Sequence, residues 1–174
     1  VARGARRGAA AAACAAGLLA AAGCSGGNEA SVPDGFCEVP VARSALAPLV
    51  PEHGKVAQTY AGGKAEGYGA CHLTSAGKAV LVVNFYTPGN APDPDGWKKP
   101  GDTAERPVSF LGHADITGDS AVVRADCVSP DKYMTFVISA SGERVDRSPT
   151  GYRKLQRFVD DFVPKVTEKF GCTL

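Results

Sequence analysis

At 174 residues, 44% hydrophobic and 21% charged, with 21 glycines and 12 prolines, the chain suits one globular domain and excludes a long coiled coil or a wholly disordered polypeptide. Its 19 basic and 18 acidic side chains give a formal net charge of +1, which removes the usual electrostatic support for nucleic acid or an acidic polymer as partner. Its 6 cysteines are too many for a reducing compartment unless a metal or a reaction needs them, so the compartment has to be read first.

Residues 1–8 carry Arg3, Arg6 and Arg7 with no acid, and Ala9 to Ala22 then run apolar, interrupted by Cys14 and Gly17. This is the charged and apolar pair of regions of an export signal, and it falls short of the ~20 residues that span a bilayer. The run closes as Leu19-Ala20-Ala21-Ala22-Gly23-Cys24-Ser25, small residues leading to a cysteine, and this resembles the lipobox of bacterial lipoproteins. In that family the cysteine thiol takes a diacylglyceryl group and the signal is cut just before it. The resemblance implies a signal peptide over residues 1–23, lipidation (palmitate included) at Cys24, and a lipid anchor on the extracytoplasmic face of the cell membrane. Plain secretory cleavage nearby is the competing reading. Each buried methylene contributes about 0.8 kcal/mol, so two acyl chains hold a protein at a membrane where one binds reversibly. Removing 23 residues, three of them arginine, leaves 151 residues with 16 basic and 18 acidic side chains, enough chain for a single core.

Ser25 to Gly35, SGGNEASVPDG, has no apolar period and reads as coil, so residues 24–35 are expected to form a lipidated tether and residues 36–174 a single extracytoplasmic domain. Val41, Ala45, Leu46 and Leu49 recur at helical spacing, with Pro40, Pro48 and Pro51 confining any helix to about two turns. Tyr68 to Thr74 and Lys78 to Thr87 flank Ser75-Ala76-Gly77 and read as a hairpin. Ser120 to Val128 puts Val123, Ala125 and Cys127 on one face and Arg124 and Asp126 on the other. It turns through Ser129-Pro130-Asp131-Lys132 into Tyr133 to Ala140, where Met134, Phe136 and Ile138 share a face. A C-terminal helix follows, with Ser148 as cap, Pro149 in its first turn, and an apolar stripe of Leu155, Phe158, Val159, Phe162, Val166 and Phe170. Gly171 stops it, and Pro164 predicts a kink. The expected fold class is α+β, an antiparallel sheet of about four or more strands with a short N-terminal helix and a long C-terminal helix packed on it.

Outside the leader four cysteines follow Cys24: Cys37, Cys71, Cys127 and Cys172. An even count in an exported chain predicts two disulfides, and four cysteines allow three pairings that sequence alone does not separate. Cys172 follows the helix stop while Cys127 faces inward on a strand that helix should cover, which favours Cys127 with Cys172 and Cys37 with Cys71. Cys71-His72 sets two metal ligands side by side, but neighbours on a strand point to opposite faces, and no CxxC or HxxxH spacing occurs.

No catalytic constellation emerges either. His53, His72 and His113 are dispersed, no GxSxG elbow occurs, and Asp93 with Asp95 or Asp160 with Asp161 read as solvated charge rather than an acid and base set across a substrate. The glycines at 62–63 and 67–69 match neither phosphate-binding pattern, so no cofactor is expected. Pro88 to Pro107 is a Pro-, Gly- and Asp-rich stretch with the sole tryptophan, Trp97, next to Lys98 and Lys99. Stretches of this kind are commonly functional, and these three residues are the candidate binding group, with capping of the sheet edge as the structural alternative.

Taken together, the lipobox, Cys37 before a Pro-rich Leu/Val segment, GYGACHL, RADC and FVPKVTEKFGC resemble an actinobacterial family of secreted lipoproteins of uncharacterised function. The resemblance implies fold and address, the fold resembling the Mog1/PsbP type, and carries over no active residue. The expectation is a non-enzymatic binding or accessory module of the cell envelope. Its partners are the membrane, through the lipid at Cys24, and an envelope protein or small ligand, with no nucleic acid. A carrier of an apolar molecule, with a deep apolar cavity between sheet and helix, is the alternative. A hydrolase assembled from distant residues, such as His113 with Asp115 or a serine, comes third.

Overall fold

The computed structural model describes residues 31–90, 105–129 and 132–172. The leader, Cys24, Asp93, Asp95 and the Trp97, Lys98 and Lys99 group lie outside the described residues. In chain order the elements are β1 (Gly35–Phe36), β2 (Val39–Pro40), α1 (Arg43–Leu46) continued by one 3-10 turn (Ala47–Leu49), β3 (Val56–Gly63), β4 (Tyr68–Ser75) and β5 (Lys78–Tyr86). Then come β6 (Glu105–Arg106), β7 (Gly112–Ile116), β8 (Ser120–Asp126), β9 (Tyr133–Ala140) and α2 (Tyr152–Lys169).

Turn chemistry fixes the hairpins. Ala76 and Gly77 both have positive φ, 49° and 77°, the two-residue turn whose twist matches that of paired strands, and β4 returns through it into β5. Cys37 and Glu38, at 56° and 58°, turn β1 into β2 in the same way, although neither side chain favours that conformation. In β4, Gly69 lies opposite Phe85, and a Cβ there would overlap the phenylalanine ring, so glycine lets the ring lie flat across the strand. A register shift between Leu73 and Thr74 leaves Val80 and Leu81 both buried, which explains why the apolar run in β5 does not alternate strictly.

Seven strands pair antiparallel in the order β3-β4-β5-β9-β8-β7-β6, two meanders joined at the β5–β9 seam. The fold is thus α+β with an antiparallel sheet and a C-terminal helix, and the sheet has more strands than the two hairpins read from sequence. β3, β6 and β7 were not anticipated. β1 and β2 form a separate two-stranded sheet. The N-terminal helix is a single short turn plus a 3-10 turn, with Val41, Ala45, Leu46 and Leu49 all buried as their spacing required.

Helix α2 covers one sheet face with Leu155, Phe158, Val159, Phe162, Val163 and Val166, all fully buried. Phe158 and Phe162 stack at 4.9 Å, Phe36 from β1 lies 5.7 Å from Phe162, and Phe136 from β9 lies 6.4 Å from it edge-on. Phe85 extends the ring chain from Phe136 at 5.8 Å to Phe170 at 5.0 Å. The start of the helix differs from expectation. Asp146 Oδ1 accepts the Ser148 amide at 2.9 Å, Ser148–Gly151 closes a turn, and the helix begins at Tyr152 without a side-chain cap. Its end is as expected. Gly171 has φ of 76°, its amide donates to the Glu168 carbonyl and the Cys172 amide to that of Thr167, which together satisfy the last turn. The helix is continuous through Pro164, and the Thr167 hydroxyl donates to the Pro164 carbonyl at 2.7 Å.

Two predictions follow from this packing. Phe162→Ala removes the ring that joins hairpin, helix and sheet, and should lower unfolding stability by about 3–5 kcal/mol in a urea titration; a loss under about 1 kcal/mol would show that these contacts are not the centre of the core. The backbone and side-chain hydrogen bonds from Ser148 hold the Asp146 carboxyl below its ordinary value. Its contribution is therefore present above about pH 4 and is lost as pH falls through the depressed native value. The melting-temperature gap between the native protein and Asp146→Ala should be widest near neutrality and close in acid.

Candidate functional site

With α2 and the N-terminal hairpin on one face, the sheet register builds the other. Tyr68 stands opposite Tyr86, Tyr86 opposite Thr135, Thr135 opposite Arg124, and Arg124 opposite His113, a single row crossing five strands. These positions alternate with the buried core residues of β4, β5, β8 and β7, so the row looks away from the helix. One step along β9 and β8, Tyr133 pairs with Asp126 and joins the same surface.

Contacts order this row. The Arg124 Nε lies 2.7 Å from Asp126 Oδ1, and its guanidinium stands 4.2 Å over the Tyr133 ring. The side chains of Arg124 and Asp126 keep 41% and 34% exposure, so the pair is fixed and still reachable from solvent. His113 Nδ1 meets Glu105 Oε1 at 3.2 Å, an exposed contact that adds little to stability. Tyr68 is 45% exposed. Thr135 in the middle is fully buried, and among the described residues its hydroxyl meets no hydrogen-bond partner. Flat aromatic surfaces beside a fixed cation and anion can stack and hydrogen-bond a polar molecule.

The four cysteines predicted to pair do so. Cys37 bonds to Cys71 and Cys127 to Cys172, with Cα separations of 5.5 and 5.0 Å. Cys71 is buried while His72 is exposed on the opposite face, as strand alternation requires. Asp160 and Asp161 are not merely solvated charge. Asp160 Oδ1 accepts the Ser109 amide and Asp161 Oδ2 the Ala42 amide, both at 2.9 Å, so they clip two loops to the exposed side of α2. Asp161 also pairs with Lys165 one turn on. His53 borders a cleft of about 720 Å³ that also includes Ser75, Ser141 and Glu52. There the Ser141 hydroxyl donates to the Ala79 carbonyl at 2.6 Å, and Glu52 is bound by Arg144 at 2.9 Å.

Among the described residues no three His, Cys, Asp or Glu side chains gather closely enough to hold a metal ion, and no helix is long and apolar enough to cross a membrane. No protein-family model, curated protein or solved structure matches the chain. The row on the outer face was only half visible in the sequence. Alternation in β8 placed Arg124 and Asp126 together, whereas the three tyrosines come from separate strands and needed the register to meet.

Proposed function

We propose that this chain is a non-enzymatic binding or accessory module of the cell envelope, anchored through lipid at Cys24, and that it holds a polar envelope component on the outer face of its sheet. The observation that carries this reading is the asymmetry of the sheet. One face is filled by α2, and the other presents Tyr68, Tyr86 and Tyr133 with Arg124 and Asp126. Groups of the types used in catalysis are engaged otherwise, Ser141 with a carbonyl, His113 with Glu105, and Asp160 and Asp161 with backbone amides. The space between sheet and α2, where a carried apolar molecule would sit, holds the ring chain from Phe36 to Phe170.

The test is affinity capture from membranes with the native protein, Tyr68→Ala and Arg124→Ala, followed by mass spectrometry of bound proteins and extracted small molecules. Both variants should lose the captured component by about tenfold or more, the effect of a lost stacking or charged contact worth about 1.4 kcal/mol, while melting within a few degrees of native. Retention of the same component by both variants would sink the outer face as the site. Intact mass of the same sample should show a chain beginning at an acylated Cys24, with four thiols oxidised. A full-length chain with its leader uncut would remove the anchor and the address.

A further inference from the structure

The two edges of the sheet are built differently. β6 is two residues long, both charged, and is followed by Pro107, which blunts it as a template for other strands. β3 runs eight residues, VAQTYAGG, with no charge, no proline and no break in its register with β4. Ala57, Gln58, Thr59 and Ala61 are exposed.

The ladder fixes which backbone groups of β3 are spare. The Ala76 amide donates to the Lys55 carbonyl at 3.3 Å, and bonded and non-bonded positions alternate along an antiparallel pair. Lys55, Ala57, Thr59, Ala61 and Gly63 therefore turn their amides and carbonyls to β4. Val56, Gln58 and Tyr60 turn theirs outward, and among the described residues no strand meets them; Gly62, with φ of 90°, leaves the extended backbone and ends this run.

We propose that this edge pairs with the same edge of a second copy of the chain, antiparallel about a two-fold axis at Thr59. In that register Gln58 exchanges backbone bonds with Tyr60 of the second copy, and Val56 falls opposite its Gly62, where the ladder ends. Thr59 meets Thr59 and Ala57 meets Ala61 at the close, non-bonded positions, where threonine pairs and small side chains fit well. The flanking charges miss each other, since Lys55 falls opposite Gly63 and Lys64 opposite Gly54. On the helix side a cleft of about 450 Å³ between the β1–β2 hairpin and Gln58–Tyr60 leaves room for the incoming Gln58 and Tyr60 side chains. This match of every position with a neutral counterpart favours a second copy over an unrelated extended segment. Two bonding positions per copy make a small interface, so the pair should form in proportion to concentration.

Light scattering of the purified full chain across a concentration series tests this, with the mass expected to rise from one chain to two. Gln58→Pro removes an outward amide and no bond to β4, a position where an edge strand tolerates proline, and should give the mass of one chain throughout. Thr59→Lys and Thr59→Glu alter only an exposed side chain. Each alone should stay single, and an equal mixture should recover the doubled mass, a rescue that requires the two positions to face each other. A native chain that remains single up to millimolar concentration overturns the proposal, including one that instead binds an extended segment of another protein at this edge. So does a pair that survives Gln58→Pro, or survives both charge variants. If Gln58→Pro fails to fold by circular dichroism, the Thr59 variants and their mixture decide alone.

Discussion

The stack of Phe158 on Phe162 lies between Phe36 and Phe136, and through it three remote parts of the chain share one apolar contact: an N-terminal hairpin, the central strand β9 and the C-terminal helix. Holding such distant segments together opposes chain entropy, which rises slowly with loop length. The two disulfides act at the ends of the same seam. Cys37–Cys71 fastens the hairpin to β4 across 34 residues, and Cys127–Cys172 fastens the end of α2 beyond β8 across 45. By the chain-entropy argument each contributes about 4 kcal/mol. Cys37 and Glu38 hold a backbone conformation that suits glycine or asparagine, and the Cys37–Cys71 bond ties this turn to β4. Glu38 is further held by Lys169 of α2 at 2.9 Å.

Filling one face so completely decides what the other face can be. The larger apolar residues of the central strands are committed to the helix side, and the alternate positions carry tyrosines, threonine, arginine and aspartate with Val82, Val122 and Val137 among them. Asp160 and Asp161 of α2 are likewise used to tether loops, which keeps α1 and the segment near Ser109 against the helix. Among the described residues the outer row and the free edge stay accessible, beside the cleft at His53.

The elements legible in the sequence were those whose burial is one-sided or complete. The stripe of α2, the β4–β5 turn and the β8–β9 pair all declare a face, and Cys172 just past Gly171 made its disulfide partner foreseeable. β3 was missed because an edge strand of small and polar residues has no buried face to impose a period, and β7 because GHADI is short and begins with glycine. The start of α2 was misread because Ser148-Pro149 has the composition of a helix start, while Asp146 captures the Ser148 amide two residues earlier. Thr135 broke the pattern for a different reason. It belongs to the central strand, between Tyr86 and Arg124, and is fully buried on a face that alternation assigns to solvent. The tyrosines of the outer row lie in both meanders, so only the β5–β9 seam, invisible to local patterning, brings them together.

Edge and face are geometrically linked. Tyr68, where the row begins, pairs with Gly63 of β3, and the exposed side chains of Ala57, Thr59 and Ala61 lie on the same face as that row. Pairing two copies edge to edge about an axis normal to the sheet would turn both outer faces the same way and set two rows side by side on one continuous surface. A ligand with repeating units could then engage both at once, with the second contact gaining from the effective concentration set by the first. The N-terminal hairpin packs on the helix side through Phe36, and Val32 just before it rests against the same core. A chain tethered through that segment would carry the paired surface facing away from its anchor, where an extended polar component of the envelope could reach it.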